Sequence, residues 1–162
     1  MSKGGGLEDI VAGQTAIATV GREGKGLHYR GYSVEDLAGN ASFEEVAFLL
    51  LCGELPTSAE LGSFEKKLAS LRSIPENLKD VLELMPKETH PMDVLRTACS
   101  MLGTLEPETD FSQSFYISAR LLALFPACLC YWYHFSHFGN RIETYSNEIS
   151  IGGYFLDLLH QA

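Results

Sequence analysis

The chain has 162 residues, of which 46% are hydrophobic and 20% charged, with 21 acidic against 12 basic residues and a formal net charge of −9. Those values suit one globular domain of ordinary size and exclude collagen-like, intrinsically disordered and small disulfide-scaffold classes. The acidic balance also disfavours a general nucleic-acid binder or a binder of anionic membranes, since either needs a basic face.

Residues 1–6 (MSKGGG) read as a flexible N-terminus, and the start holds no apolar stretch long enough for a secretory signal. Two short alternating runs, Thr15–Val20 and Leu27–Tyr29, flank Gly21-Arg-Glu-Gly-Lys-Gly26 and predict a β-hairpin closed by a glycine-rich turn. Beyond it, leucine occurs 23 times and helix punctuation becomes regular. Ser33-x-x-Asp36 opens a short helix that Gly39 can end. Ser42-x-x-Glu45 is a capping box, with Phe43, Val46, Ala47 and Leu50 on one face and Gly53 as the left-handed stop. Thr57-x-x-Glu60 opens a second boxed helix with Leu61, Phe64, Leu68 and Leu71 inward.

Pro75 suits the first position of another helix, carrying Leu78, Val81, Leu82 and Met85 before Pro86 ends it. Pro91 starts the next, with Met92, Leu95, Cys99 and Leu102 inward and Gly103 as its stop. A polar loop over 106–112 precedes a long apolar helix from about Gln113 to His137, expected to kink at Pro126 because proline removes a ladder donor. Arg120 and Pro126 interrupt this run, so it reads as a core helix and not as a membrane span. Residues 139–150 form a polar connection, and Ile151 to His160 form a final apolar helix. The fold class is all-α, a helical bundle with an N-terminal β-hairpin. The last helix stops at His160-Gln161-Ala162 with no polar tail, which reads as a cut end.

Candidate chemistry is sparse. Cys130, His134 and His137 stand at i, i+4 and i+7 on one helix, with Glu143 the nearby acid that could complete a zinc set. Histidines flanking the end of a buried aromatic helix explain the same pattern, and no metal is expected. The glycines at 21–26 lack the spacing of a phosphate loop and the helix that would follow it. Glu44 and Glu45 fall at a helix N-terminus, where the dipole accounts for them. Cys52, Cys99, Cys128 and Cys130 lie in apolar surroundings without a C-x-x-C, and read as reduced core thiols of a cytoplasmic protein. Residue chemistry alone stops at a helical domain without a visible active site.

The stretches Val11-Ala-Gly-Gln-Thr-Ala-Ile-Ala-Thr-Val20, Leu27-His-Tyr-Arg-Gly-Tyr32, Phe43-Glu-Glu-Val-Ala-Phe-Leu-Leu-Leu51 and Gly53-Glu-Leu-Pro56 resemble the opening of the citrate synthase family. Thr89-His-Pro-Met-Asp-Val-Leu-Arg-Thr97, Tyr131-Trp-Tyr-His-Phe-Ser-His137, Ser150-Ile-Gly-Gly153 and Leu156 to His160 are similar to its bacterial 2-methylcitrate synthase branch. The resemblance runs from about Leu7 onward. It implies that residues 7–162 are the N-terminal part of a large helical domain, truncated at the C-terminus.

It further implies an acyltransferase that joins propionyl-CoA, or acetyl-CoA, to oxaloacetate, with acyl-CoA as substrate and no separate cofactor. A homodimer, or a missing C-terminal half, is the implied protein partner. The family's catalytic aspartate and histidines lie beyond this chain; His28, His90, His134, His137 and His160 do not match their motifs, so no catalytic residue is assigned. Arg72, in Leu71-Arg-Ser-Ile-Pro75, stands where the family has a basic residue, and a guanidinium there suits a dicarboxylate. A role complementing its helix dipole competes with that reading. Arg30 is read as structural. The alternative function is a non-catalytic helical module, or a split half that binds a partner subunit.

Overall fold

A computed structural model describes residues 13–20 and 26–161. The expected flexible stretch 1–6 and turn residues 21–25 lie outside the described residues. The paired segments are shorter than the alternating runs. β1 (Ala18–Thr19) pairs antiparallel with β2 (His28–Tyr29), Ala18 opposite Tyr29 and Thr19 opposite His28. A third strand, β3 (Tyr32–Ser33), follows and pairs back on β2. The two-residue loop between β2 and β3 is Arg30-Gly31, with φ of 51° and 92°. Both values are positive, as a tight hairpin turn matching strand twist requires. Arg30 holds the left-handed conformation without being glycine. Its guanidinium donates to the Leu50 carbonyl at 3.2 Å, which fastens the turn to the helix beyond.

Seven helices follow: α1 (Val34–Asn40), α2 (Phe43–Cys52), α3 (Ser58–Ser70), α4 (Glu76–Glu83), α5 (Pro91–Leu105), α6 (Ser114–Phe138) and α7 (Ile151–Leu159). Both capping boxes form as their spacing demands, Ser42 with Glu45 and Thr57 with Glu60. Pro75 lies just before α4, at its N-cap position and not its first residue, and Pro91 is the first residue of α5. Gly53 ends α2 and Gly139 ends α6, each at positive φ. Gly103 does not end α5, which continues to Leu105, and Gly39 lies within α1. A short 3₁₀ turn over Phe111–Gln113, capped by Asp110, occupies the end of the predicted loop.

The helix α6 organises the bundle. With the preceding turn it is long and apolar enough to cross a bilayer by length and composition. Yet Ala119, Ala123, Leu124, Ala127, Cys128, Tyr131 and Trp132 are all in the protein core. The helix runs continuously through the buried Pro126. One core lies between α4, α5, α6 and α7, centred on Leu78, Leu82, Val94, Leu124, Tyr154 and Leu158. A second, smaller one packs Phe64 and Leu68 of α3 onto Ala119 and Ala123, with Phe48 and Phe115 stacked edge-on and tilted around Phe64. Alanines at i and i+4 on α6 are what let α3 approach.

Two predicted faces are rotated. On α2, Phe43 is exposed whereas Glu44 and Leu49 are buried. The run Val46 to Cys52 is apolar all round, so periodicity could not select a face. On α5, the core face is Val94, Ala98 and Leu102, while Met92 and Cys99 are exposed. Both stripes share Leu102, and packing against α4 and α6 selects the one with the smaller residues. Cys52 is exposed as well, so only Cys128 and Cys130 are core thiols.

Candidate functional site

The turn 71–75 between α3 and α4 draws in two buried arginines. Arg120, inside the apolar run of α6, donates from Nη1 to the carbonyls of Leu71 and Ser73. Its Nε and Nη2 grip the Glu106 carboxylate, Nη2 at 2.9 Å. A buried guanidinium has to be neutralised and hydrogen-bonded, and here every nitrogen has an acceptor and the Glu106 carboxylate balances the charge. It also faces the C-terminal carbonyls of α3, where positive charge is favoured.

Arg72 points the other way and is 5% exposed. Its terminal nitrogens donate to the carbonyls of Glu148 and Ile149, the latter at 2.7 Å. Its guanidinium carbon lies 4.0 Å from the centre of the Tyr154 ring, a cation–π stack inside the protein. Burial lowers its pKa, while Tyr154, Glu44 and Glu148 oppose that shift. Its Nε is buried without a hydrogen-bond partner among the described residues.

Glu44 completes this junction. Its Oε1 accepts from the Ile151 N–H at 2.7 Å, capping α7 from 107 residues away. Ser150 supplies the local cap, accepting from Gly153 N–H at 3.0 Å. A Cβ at Gly153 would stand 2.8 Å from both the Glu148 carboxylate and the Ser150 hydroxyl, so glycine admits the pair. Two carboxylates and one guanidinium thus meet at the N-terminus of α7, where the free amides favour negative charge.

The Cys130, His134 and His137 set does not converge. Cys130 Sγ faces the Phe155 carbonyl at 3.7 Å. His134 Nε2 lies 3.1 and 3.2 Å from the carbonyls of Leu158 and Leu159, so that nitrogen carries the proton and caps the end of α7. His137 turns back on Tyr133, and Glu143 offers its carbonyl to Gln161. Among the described residues no three His, Cys, Asp or Glu side chains lie close enough to hold a metal. His90 caps α5, accepting from Met92 N–H at 3.1 Å, and His28 Nδ1 bonds the Gly26 carbonyl.

Of the residues the sequence analysis weighs for a site, Arg72 and Glu44 belong to the buried-charge junction. Glu44 was legible only as a helix-start acid. Arg120 carried a signal, since a single arginine in a long apolar run must find a partner. Also unforeseen is a cluster on the far side of α4. There Glu83 accepts from Arg141 Nε at 2.7 Å, Arg141 Nη2 at 2.8 Å and Tyr131 Oη at 2.7 Å. These bonds, Arg141 first, hold the Glu83 carboxyl down at about 2, while burial and Glu83 push Tyr131 up to about 12.

The chain is 57% identical over 157 residues to 2-methylcitrate synthase of Shewanella oneidensis, covering 97% of this chain and 42% of that protein. It is 45% identical over 127 residues to 2-methylcitrate synthase 2 of Corynebacterium glutamicum, covering 76% of this chain and 33% of the relative. The crystal structure of citrate synthase from Thermotoga maritima superposes with a TM-score of 0.79 at 29% identity, over 96% of this chain and 41% of that one. The chain therefore spans less than half the length of the relatives it matches. A family model described as "Citrate synthase, C-terminal domain" matches residues 6–162. With nearly the whole chain so matched, and its fold superposing on that structure, the protein belongs to the citrate synthase family.

Proposed function

We propose that this chain forms part of a 2-methylcitrate synthase, joining the α-carbon of propionyl-CoA to the ketone of oxaloacetate, with acetyl-CoA and citrate as the related pair. The observation that carries this reading is the 57% identity with the Shewanella oneidensis protein of that name across 97% of the chain. Such a condensation needs a base at the thioester α-carbon and donors at both developing oxyanions. We assign those groups to the part of the enzyme that lies outside these 162 residues. Four of the five histidines here bond backbone groups, and the fifth, His160, stands at the end of α7. Acyl-CoA enters as substrate, no separate cofactor or metal is invoked, and the working form is a cytoplasmic homodimer or a complex with the remaining half.

Arg72 is the residue of this chain that we assign to oxaloacetate. In this chain its terminal nitrogens bond the Glu148 and Ile149 carbonyls and its Nε is enclosed, so the oxaloacetate contact requires the junction to open in the assembled enzyme. The test is thiol release from propionyl-CoA with oxaloacetate, using the chain alone and the chain mixed with the remaining portion of a full-length relative. Release only from the mixture supports the reading, and Arg72→Lys then raises the KM for oxaloacetate at least tenfold. No release from a mixture that does assemble overturns it in favour of a non-catalytic helical module. The buried charges being paired within the chain is the observation that gives that second reading its weight.

A further inference from the structure

The connection from Gly139 to Ser150 has no helix or strand, yet its carbonyls are claimed one after another by side chains from elsewhere. Gln161 donates to Glu143 O at 2.9 Å and Tyr154 Oη to Thr144 O at 2.7 Å, while Arg72 takes Glu148 O and Ile149 O. Among the described residues, the N–H groups of Arg141 to Asn147 have no protein acceptor. An irregular segment ordered in this manner depends on its individual fastenings, because no ladder of its own keeps it in place.

The fastenings fall into two kinds. Those on 144–149 come from Tyr154 and Arg72, both buried in the core. The charged one on 140–143 is Arg141 with Glu83, at the surface. Its arginine side chain is 69% exposed, whereas the Glu83 side chain is 16% exposed. Residues 141–143 also form a wall of two clefts of about 430 and 590 Å³, one toward α4 and one toward Gln161. The other holds on this half are neutral ones, Gln161 on the Glu143 carbonyl and Ile142 against the larger core, so Glu83–Arg141 is its one charged fastening.

We propose that residues 139–150 form a strap with a half held permanently by core side chains and a half held at the surface by a releasable ion pair. Arg72 and Tyr154 hold 144–149 in place. The Glu83–Arg141 pair is a latch, and when it parts, 140–143 lifts from α4 and α6, merges the two clefts and uncovers the Tyr131 hydroxyl. Gly139, left-handed at φ 72°, is the pivot at the α6 end.

The experiment is ¹⁵N relaxation on the whole chain, wild type against Glu83→Gln and, separately, Arg141→Gln. In the wild type, 140–149 should show order parameters near 0.85 throughout, the range of rigid backbone. In both variants, residues 140–143 should fall below about 0.6 while 144–149 stay unchanged. Salt should reproduce the effect in part, since about 1 M shortens the Debye length to roughly 3 Å. A wild-type strap already mobile at 140–143, a variant that loosens 144–149 equally, or no change in either variant would overturn the proposal. Far-ultraviolet circular dichroism of each variant separates these results from a failure to fold.

Discussion

Glu44 stands at the second position of α2 with its carboxylate withdrawn from water and set against the first amide of α7. Truncating it leaves a buried N–H without an acceptor, which costs about 1–3 kcal/mol. Glu44→Ala should lower the unfolding free energy measured by urea titration by that amount, and Glu44→Gln, which retains an acceptor oxygen, should recover part of it. The thiols offer a second check at this scale. Burial pushes Cys128 and Cys130 up to about 12, whereas Cys52 and Cys99 are exposed. A thiol-specific reagent should therefore titrate two groups in the native chain and four after denaturation. Glu83 gives a pH signature. Its folded pKa of about 2 lies below the unfolded carboxylate value of about 4.3, so the latch contributes fully above pH ~4.3 and is lost as pH falls through about 2. The stability difference between wild type and Glu83→Gln should shrink steadily across that window in urea titrations.

Among the elements, α6 and α7 are the most closely joined. Leu124 of α6 and Leu158 of α7 are both fully enclosed in the larger core. Leu158→Ala should destabilise by about 2–5 kcal/mol, the range for a leucine removed from a core that cannot fully collapse. The adjoining glycines of α7 should behave differently from each other. A Cβ at Gly152 meets nothing within 4 Å, so Gly152→Ala should stabilise by up to about 1 kcal/mol through helix propensity. Gly153→Ala gains the same propensity but pushes on Ser150 and Glu148, and losing the Ser150 cap costs about 0.5–2 kcal/mol. Thermal unfolding of the two variants should place Gly152→Ala above Gly153→Ala.

At the scale of the whole molecule, the large core is closed but the surface retains unpartnered apolar groups. Leu84, Phe111, Met92, Phe138 and Leu156 are each more than half exposed. Total stability of a domain is about 5–15 kcal/mol, and the helices here are marginal in isolation. The chain on its own should give a helical circular-dichroism signal together with self-association and binding of an apolar-surface dye. A sharp, reversible transition from a dye-silent monomer would show these groups to be isolated features of an ordinary surface.

The helical class, the order of the seven helices and most of their ends were readable from sequence, because caps and stops act within one turn of the chain. The Ser42–Glu45 and Thr57–Glu60 boxes each need only four residues, and Pro91 only its own ring. The family resemblance was readable for a related reason, being carried by ordered runs such as Thr89–Thr97 and Tyr131–His137. Which face of α2 or α5 turned inward was not readable. Each helix carries two apolar stripes, and only the neighbouring helix selects one. The buried charges were out of reach for the same reason. Glu44 finds its amide, Arg72 its carbonyls and Glu83 its guanidinium 58 to 107 residues away, distances over which no local pattern in the chain constrains the partner. Tertiary packing decided those pairings, because a buried charge must find whatever complementary group the fold brings within about 3 Å.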